Sequence, residues 1–261
     1  MTVQLRGARI LLTGATGGIG HAIARALHAE GAELILTGRK VDVLEPLAKE
    51  LGAISIATDL ADADAVTSLL EEAGTLDVLV ANAALPGVGN LTGMSVDHIE
   101  KNLDVNLRAP IVMTRHLLPG MLERGSGQIV LIGSVSGIVS SPGSAMYNAT
   151  KFGLRGFASG LRQDLHGTGV GVSIVMPGFV RDAGMFVNSG MVLPAGVRTV
   201  SPEQVAKGVV RAIRKDKGQV VVAPAELKAG AKLGSIAPEV NATIQRLSGA
   251  ADIVGGHSGT E

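Results

Sequence analysis

The sequence predicts an α/β fold: a doubly wound, mostly parallel seven-stranded sheet with helices on both faces. Three observations carry this. Short apolar runs alternate with longer stretches at helical spacing along most of the chain. The 261 residues are 46% hydrophobic and only 18% charged, which excludes intrinsic disorder and leaves enough apolar surface for a large core. A glycine-rich segment joins the first apolar run to the first helical one, as in a strand–turn–helix unit.

Taken in order, Ala8 to Leu12 is the first strand, and Ile19 to Glu30 the first helix, with Gly31 at its C-terminal end. Glu33 to Thr37 is strand two. Val41 to Leu51 is helix two, weakened by Pro46 inside it. Ile54 to Thr58 is strand three, and Asp62 to Glu72 a helix whose acidic opening suits a helix N-terminus. Asp77 to Ala81 is strand four. Ser95 to Glu123 reads as two helices with a break near Asp104 to Asn106. Gln128 to Gly133 is strand five, Tyr147 to His166 a helix, Val170 to Met176 strand six, Pro202 to Lys215 a helix capped by Ser201, and Gln219 to Ala223 strand seven. Residues 1–247 form one predicted domain, and 248–261 a loose, glycine-rich tail.

Composition excludes several functions. There is no cysteine, hence no disulfide, thiolate metal site or cysteine nucleophile, and a reducing, cytoplasmic setting is expected. Lys plus Arg and Asp plus Glu both number 23, so bulk charge favours neither nucleic acid nor an anionic membrane. The longest uncharged run, 125–150, is too rich in Gly, Ser and Pro to span a bilayer. The six histidines show no ligand spacing, so no metal is expected. Neither a Gly-x-Ser-x-Gly elbow nor a Gly-Lys-Ser/Thr phosphate loop occurs.

The glycine segment is TGATGGIG, Thr13 to Gly20. Glycines at 14, 18 and 20 permit a sharp turn and close approach of a ligand, and the following helix start favours an anion such as a pyrophosphate. By itself the spacing would serve a simple tight turn; its place after the first strand points to a dinucleotide and a Rossmann-like fold. An NAD site wants a carboxylate at the end of strand two, but Gly38 stands there, followed by Arg39 and Lys40. A guanidinium can pair with a 2′-phosphate, which favours NADP(H) over NAD(H), although both cations would equally suit a solvated helix start.

Tyr147 is the chain's sole tyrosine and precedes Lys151 by four residues, on one helical face. A phenol ionises near 10, too high for a base at neutral pH, and a nearby ammonium is expected to lower it. Ser134, ending strand five, can offer a hydroxyl to a substrate oxygen.

TGATGGIG (13–20), ANAA (81–84), Asn106 in DVNL, Ser134 in GSVSG, YNATK (147–151) and Pro177-Gly178 together resemble the short-chain dehydrogenase/reductase family, in its single-domain branch, over roughly residues 5 to 225. The resemblance implies hydride transfer between a nicotinamide cofactor and a carbonyl or alcohol. It implies Tyr147 as general acid/base, Lys151 as ribose ligand and modulator of Tyr147, Ser134 as holder of the substrate oxygen and Asn106 as anchor of a water in a proton relay. Gly14, Thr16, Gly18, Ile19, Gly20, Arg39, Asp59, Leu60, Asn82, Ala83, Pro177, Gly178 and Val180 would surround the cofactor. Asp182 stands where the family often has a Thr that binds the carboxamide, and Gly17 where some NADP enzymes carry a basic residue.

The glycine-hinged stretch 179–200 carries Phe179, Met185, Phe186, Val187, Met191, Val192 and Leu193. It suits a lid over an apolar small-molecule substrate, or equally a loop packed against a neighbouring helix or subunit. The family resemblance implies a homodimer or homotetramer. A non-catalytic dinucleotide sensor on the same fold is the alternative; the intact set Asn106, Ser134, Tyr147 and Lys151 favours an enzyme.

Overall fold

The computed structural model describes residues 3–182 and 198–237, together with 239 and 243. The hydrophobic lid residues proposed between 183 and 197 and the tail 248–261 lie outside the described residues.

Seven strands form one all-parallel sheet: β1 (Arg9–Thr13), β2 (Glu33–Gly38), β3 (Ile54–Ala57), β4 (Val78–Ala81), β5 (Gly127–Ile132), β6 (Val170–Pro177) and β7 (Gln219–Val222), in the order β3-β2-β1-β4-β5-β6-β7. Side chains alternate across a strand. Ile10, Leu12, Leu34, Leu36, Val80 and Val130 therefore face one layer, while Leu11, Ile35, Leu79, Ile129 and Leu131 face the other. Helices α1 (Gly18–Ala29), α2 (Val41–Leu51) and α7 (Pro202–Lys215) cover the first face; α3 (Ala63–Ala73), α5 (Ala109–Arg124) and α6 (Ala145–Asp164) cover the second. Parallel strands need such crossovers, and both faces end up dry.

Local signals explain most boundaries. Asp62 caps α3 by accepting from the amides of Asp64 and Ala65, and Ser201 forms a capping box with Gln204 on α7. Pro46 is accommodated within α2, where it and Asp42, whose carbonyl loses its donor, are both exposed to water.

Two features depart from expectation. The break near Asp104–Asn106 is a π-helical segment, Asp104–Arg108, linking α4 (Val96–Leu103) to α5 without interruption. Pro110 supplies the reason: it has no N–H, so the carbonyl of Asn106 four residues earlier has no α-helical donor and the register slips. An additional helix, α8 (Ala225–Ile236), follows β7 and packs Leu227 against Gly178. No described helix is long and apolar enough to cross a membrane.

Candidate active site

The strand order reverses between β1 and β4, and ligands of open α/β sheets bind beyond the carboxyl ends of strands at such a point. The predicted catalytic and cofactor-binding residues lie along that edge or on the α4–α6 elements flanking it. The switch point is stitched shut: Asn82 Nδ2 donates to the carbonyls of Thr13 (3.0 Å) and Gly14 (3.1 Å), and Thr13 Oγ1 accepts from the amides of Asn82 and Ala83, each at 3.0 Å.

The β1–α1 turn is a backbone cradle. Gly14 has φ +65°, and a Cβ there would lie 2.7 Å from Ala83 Cα; a Cβ on Gly20 would lie 2.2 Å from the Gly14 carbonyl oxygen. Side chains are excluded at both points, which lets the turn close tightly on its own backbone. Helix α1 opens at Gly18 and Ile19 with Gly17 as N-cap and no side-chain cap, leaving first-turn N–H groups for an outside acceptor. These features fit a dinucleotide pyrophosphate.

At the end of β2, a Cβ on Gly38 would lie 2.8 Å from Thr16 Cγ2. A carboxylate side chain at position 38 therefore requires Thr16 to move. Arg39 is exposed beside it, without an ion pair among the described residues. Asp59 is exposed beyond β3 and accepts from the Ala61 amide, whereas the Leu60 side chain is buried in the core, so only its backbone can face a ligand. On the far side, Pro177 ends β6, Gly178 donates to the Val222 carbonyl, and buried Val180 bridges to Val200. Asp182 has φ +63° and pairs with Arg181 at 3.4 Å.

Ser134, Tyr147 and Lys151 converge past β5. Ser134 ends the strand and caps a short turn, Val135–Gly137, accepting from the Ser136 amide at 3.1 Å. The Tyr147 phenol lies within the influence of the Ser134 hydroxyl, and Lys151 Nζ lies 5.6 Å from the Tyr147 ring centroid. Lys151 is 3% exposed and donates to the Ile132 carbonyl at 3.0 Å. The turn sits close on α6 because residue 137 is Gly; a Cβ there would be 2.6 Å from the Lys151 carbonyl oxygen.

The electrostatics correct one expectation. Burial pushes the Tyr147 phenol up, and the Ser134 hydroxyl is the influence opposing it. Depression by the Lys151 ammonium is not what governs the phenol here. Burial instead acts on the lysine itself, lowering it from the usual 10.5 to about 8.

Asn106 is 1% exposed in the π segment, with its amide fully occupied: Oδ1 accepts from Leu85 N–H (2.6 Å), and Nδ2 donates to the carbonyl of Leu85 (2.9 Å) and to Asn102 Oδ1 (2.8 Å). Sequence reading missed Asn102, although two asparagines four apart in a helix were the signal.

A family model for short chain dehydrogenases matches residues 8–191. The chain belongs to the short-chain dehydrogenase/reductase family. It is 37% identical over 229 residues to the ketoacyl reductase HetN of Nostoc sp., covering 84% of this chain and 79% of that protein. It is 31% identical to dehydrogenase/reductase SDR family member 7B of Bos taurus, covering 91% of this chain and 80% of that protein. Among solved structures, the closed form of a serine dehydrogenase complexed with NADP+ superposes with a TM-score of 0.76 at 32% identity, covering 84% of this chain and 95% of that one. As a short-chain dehydrogenase/reductase, the protein is an NAD(P)-dependent oxidoreductase.

Proposed function

We propose that this oxidoreductase uses NADPH to reduce a carbonyl compound, with Tyr147 as the proton donor. The convergence of Ser134, Tyr147 and Lys151 at the end of β5 is the observation that carries the reading. A nicotinamide dinucleotide supplies the hydride when bound. The protein's share is orientation and proton traffic.

Ser134 holds the substrate oxygen by donating its hydroxyl proton, and Tyr147 Oη gives that oxygen a proton as the C–H bond forms. Burial keeps the phenol protonated at neutral pH, which suits a donor. Lys151, at about 8, exchanges a proton readily near neutral pH and binds the cofactor ribose. With the Asn106 amide engaged by Leu85 and Asn102, the Asn106 carbonyl, to which Pro110 cannot donate, holds the relay water. The cradle of Gly14, Thr16, Gly18, Ile19 and Gly20 holds the pyrophosphate. Asp59, the Leu60 backbone, Asn82 and Ala83 border the adenosine, while Pro177, Gly178 and Val180 border the nicotinamide.

Preference for NADPH rests on Arg39 and on the lack of room for a carboxylate at Gly38 beside Thr16. We further propose a homodimer or homotetramer paired through α5 and α6. Gly156 and Gly160 have nothing within 4 Å of an added Cβ, and Phe152 and Val112 on the same two helices are 41% and 39% exposed. Interior helix glycines cost about 1 kcal/mol each relative to Ala, which a closely docked partner helix offsets.

The test is NADPH oxidation against a panel of ketones, aldehydes and 3-ketoacyl thioesters, with Tyr147→Phe in parallel. Loss of turnover in Tyr147→Phe by about 10²-fold or more is expected for a general acid; an unchanged rate refutes the assignment.

A further inference from the structure

The segment after β4 is held on two sides. Asn102, fully buried on α4, donates from Nδ2 to the Pro86 carbonyl at 2.6 Å, while its Oδ1 accepts from Asn106. On the other side, the Gly87 carbonyl accepts from the backbone N–H of Tyr147 at 3.2 Å. That N–H belongs to the first turn of α6, whose N–H groups have no partner within the helix. The N-cap, Ser144, makes no side-chain capping bond, so Gly87 supplies the acceptor. The fit is close: a Cβ on Gly87 would lie 2.9 Å from Asn102 Oδ1 and 2.9 Å from Tyr147 N. A second tie, from Gly89 N–H to the Gly143 carbonyl at 2.8 Å, fastens the same segment to the chain entering α6.

We infer that Asn102 is a positioning residue for the reaction: through Pro86 and Gly87 it sets where the first turn of α6 begins and thereby where the Tyr147 phenol points. Its consequence for turnover rests on the reading of Tyr147 as proton donor. One amide thus serves both ends of the site, since Asn102 also orients Asn106 in the π segment. Replacing it with an apolar residue leaves the segment tied by Asn106, by Gly89 and by the Gly87–Tyr147 backbone bond, which then has nothing behind it to fix its position, so α6 still forms but its first turn can shift.

The test uses the full chain as Asn102→Leu and Gly87→Ala. Gly87 is not at positive φ, so Ala alters only the contact. The chain has one tyrosine and no tryptophan, so the near-ultraviolet circular dichroism band of tyrosine reports on Tyr147 alone. Both variants are expected to lose about half of that band or more while the far-ultraviolet spectrum is kept. With NADPH and a ketone reduced by the wild type, kcat falls about tenfold and the KM for NADPH stays within about twofold. A wild-type tyrosine band and kcat in Gly87→Ala overturn the inference, and so does a kcat loss matched by an equal rise in KM for NADPH. Should Asn102→Leu fail to fold, Gly87→Ala decides alone. If Tyr147→Phe proves fully active, the proton-donor reading falls while the tyrosine band still decides the positioning; if Tyr147→Phe is inert and both variants match the wild type, only the positioning role falls.

Discussion

Lys151 is held at a cost to the fold that depends on pH in a calculable way. Burial lowers its ionisation from 10.5 to about 8. At about 1.4 kcal/mol per tenfold change in an ionisation constant, keeping this ammonium charged costs about 3 kcal/mol below pH 8. The folded-state value lies below the unfolded one, so the unfolded chain binds more protons between about 8 and 10.5, and stability rises with pH through that window. From pH 7 to pH 9 the protein recovers about 1 kcal/mol by this route. Replacing Lys151 with Met removes the charge and forfeits the bond to the Ile132 carbonyl, worth about 1 kcal/mol. Lys151→Met is therefore expected to be more stable than wild type by about 2 kcal/mol at pH 7 and by about 1 kcal/mol at pH 9, while reducing no substrate. Urea unfolding followed by far-ultraviolet circular dichroism, at one protein concentration across this range, measures both gaps. No cysteine titrates in the window, and Tyr147, pushed above 10, stays protonated. A gap that is the same at pH 7 and pH 9, or a variant less stable at both, refutes the reasoning.

Four further outcomes follow from the same geometry. Arg39→Glu should raise the KM for NADPH at least about tenfold more than that for NADH, the size of one lost charge-assisted contact; equal loss of both, by steady-state kinetics, removes the cofactor preference. Gly17→Arg, where an added Cβ meets only the Gly14 carbonyl oxygen at 3.7 Å, should keep the melting temperature and tighten NADPH severalfold in a binding titration, whereas Gly20→Ala should abolish cofactor binding because its Cβ would sit 2.2 Å from that oxygen. Gly156→Arg should yield monomers by light scattering if α6 is the pairing face; an unchanged mass locates the contact elsewhere.

Much of the site was legible because its chemistry is local. Helix α2 ran over the expected Val41–Leu51 and α7 over Pro202–Lys215, where capping residues and apolar spacing agree with the core they meet. Tyr147 and Lys151 share a face because four residues make about one helical turn. Helix α8 was not foreseen: AELKAGAKLGSI is rich in small residues with little apolar periodicity, and what places it is contact with Gly178 and burial of Ala231 and Gly234. Nor was the π segment, which depends on the lost N–H of Pro110 being settled by register slip rather than by a break.

The alternation of strands and helices, the glycine turn and the candidate catalytic residue types are written in the chain, since periodicity, backbone freedom and side-chain chemistry are properties of neighbours in sequence. The direction in which Tyr147 and Lys151 titrate, and the attachment of α6 to Gly87 and Asn102, belong to the folded molecule alone. Desolvation depends on everything that surrounds a group, and the bonds from Asn102 to the Pro86 carbonyl and from Tyr147 N–H to the Gly87 carbonyl join residues 16 and 60 positions apart, which come together only when the sheet closes.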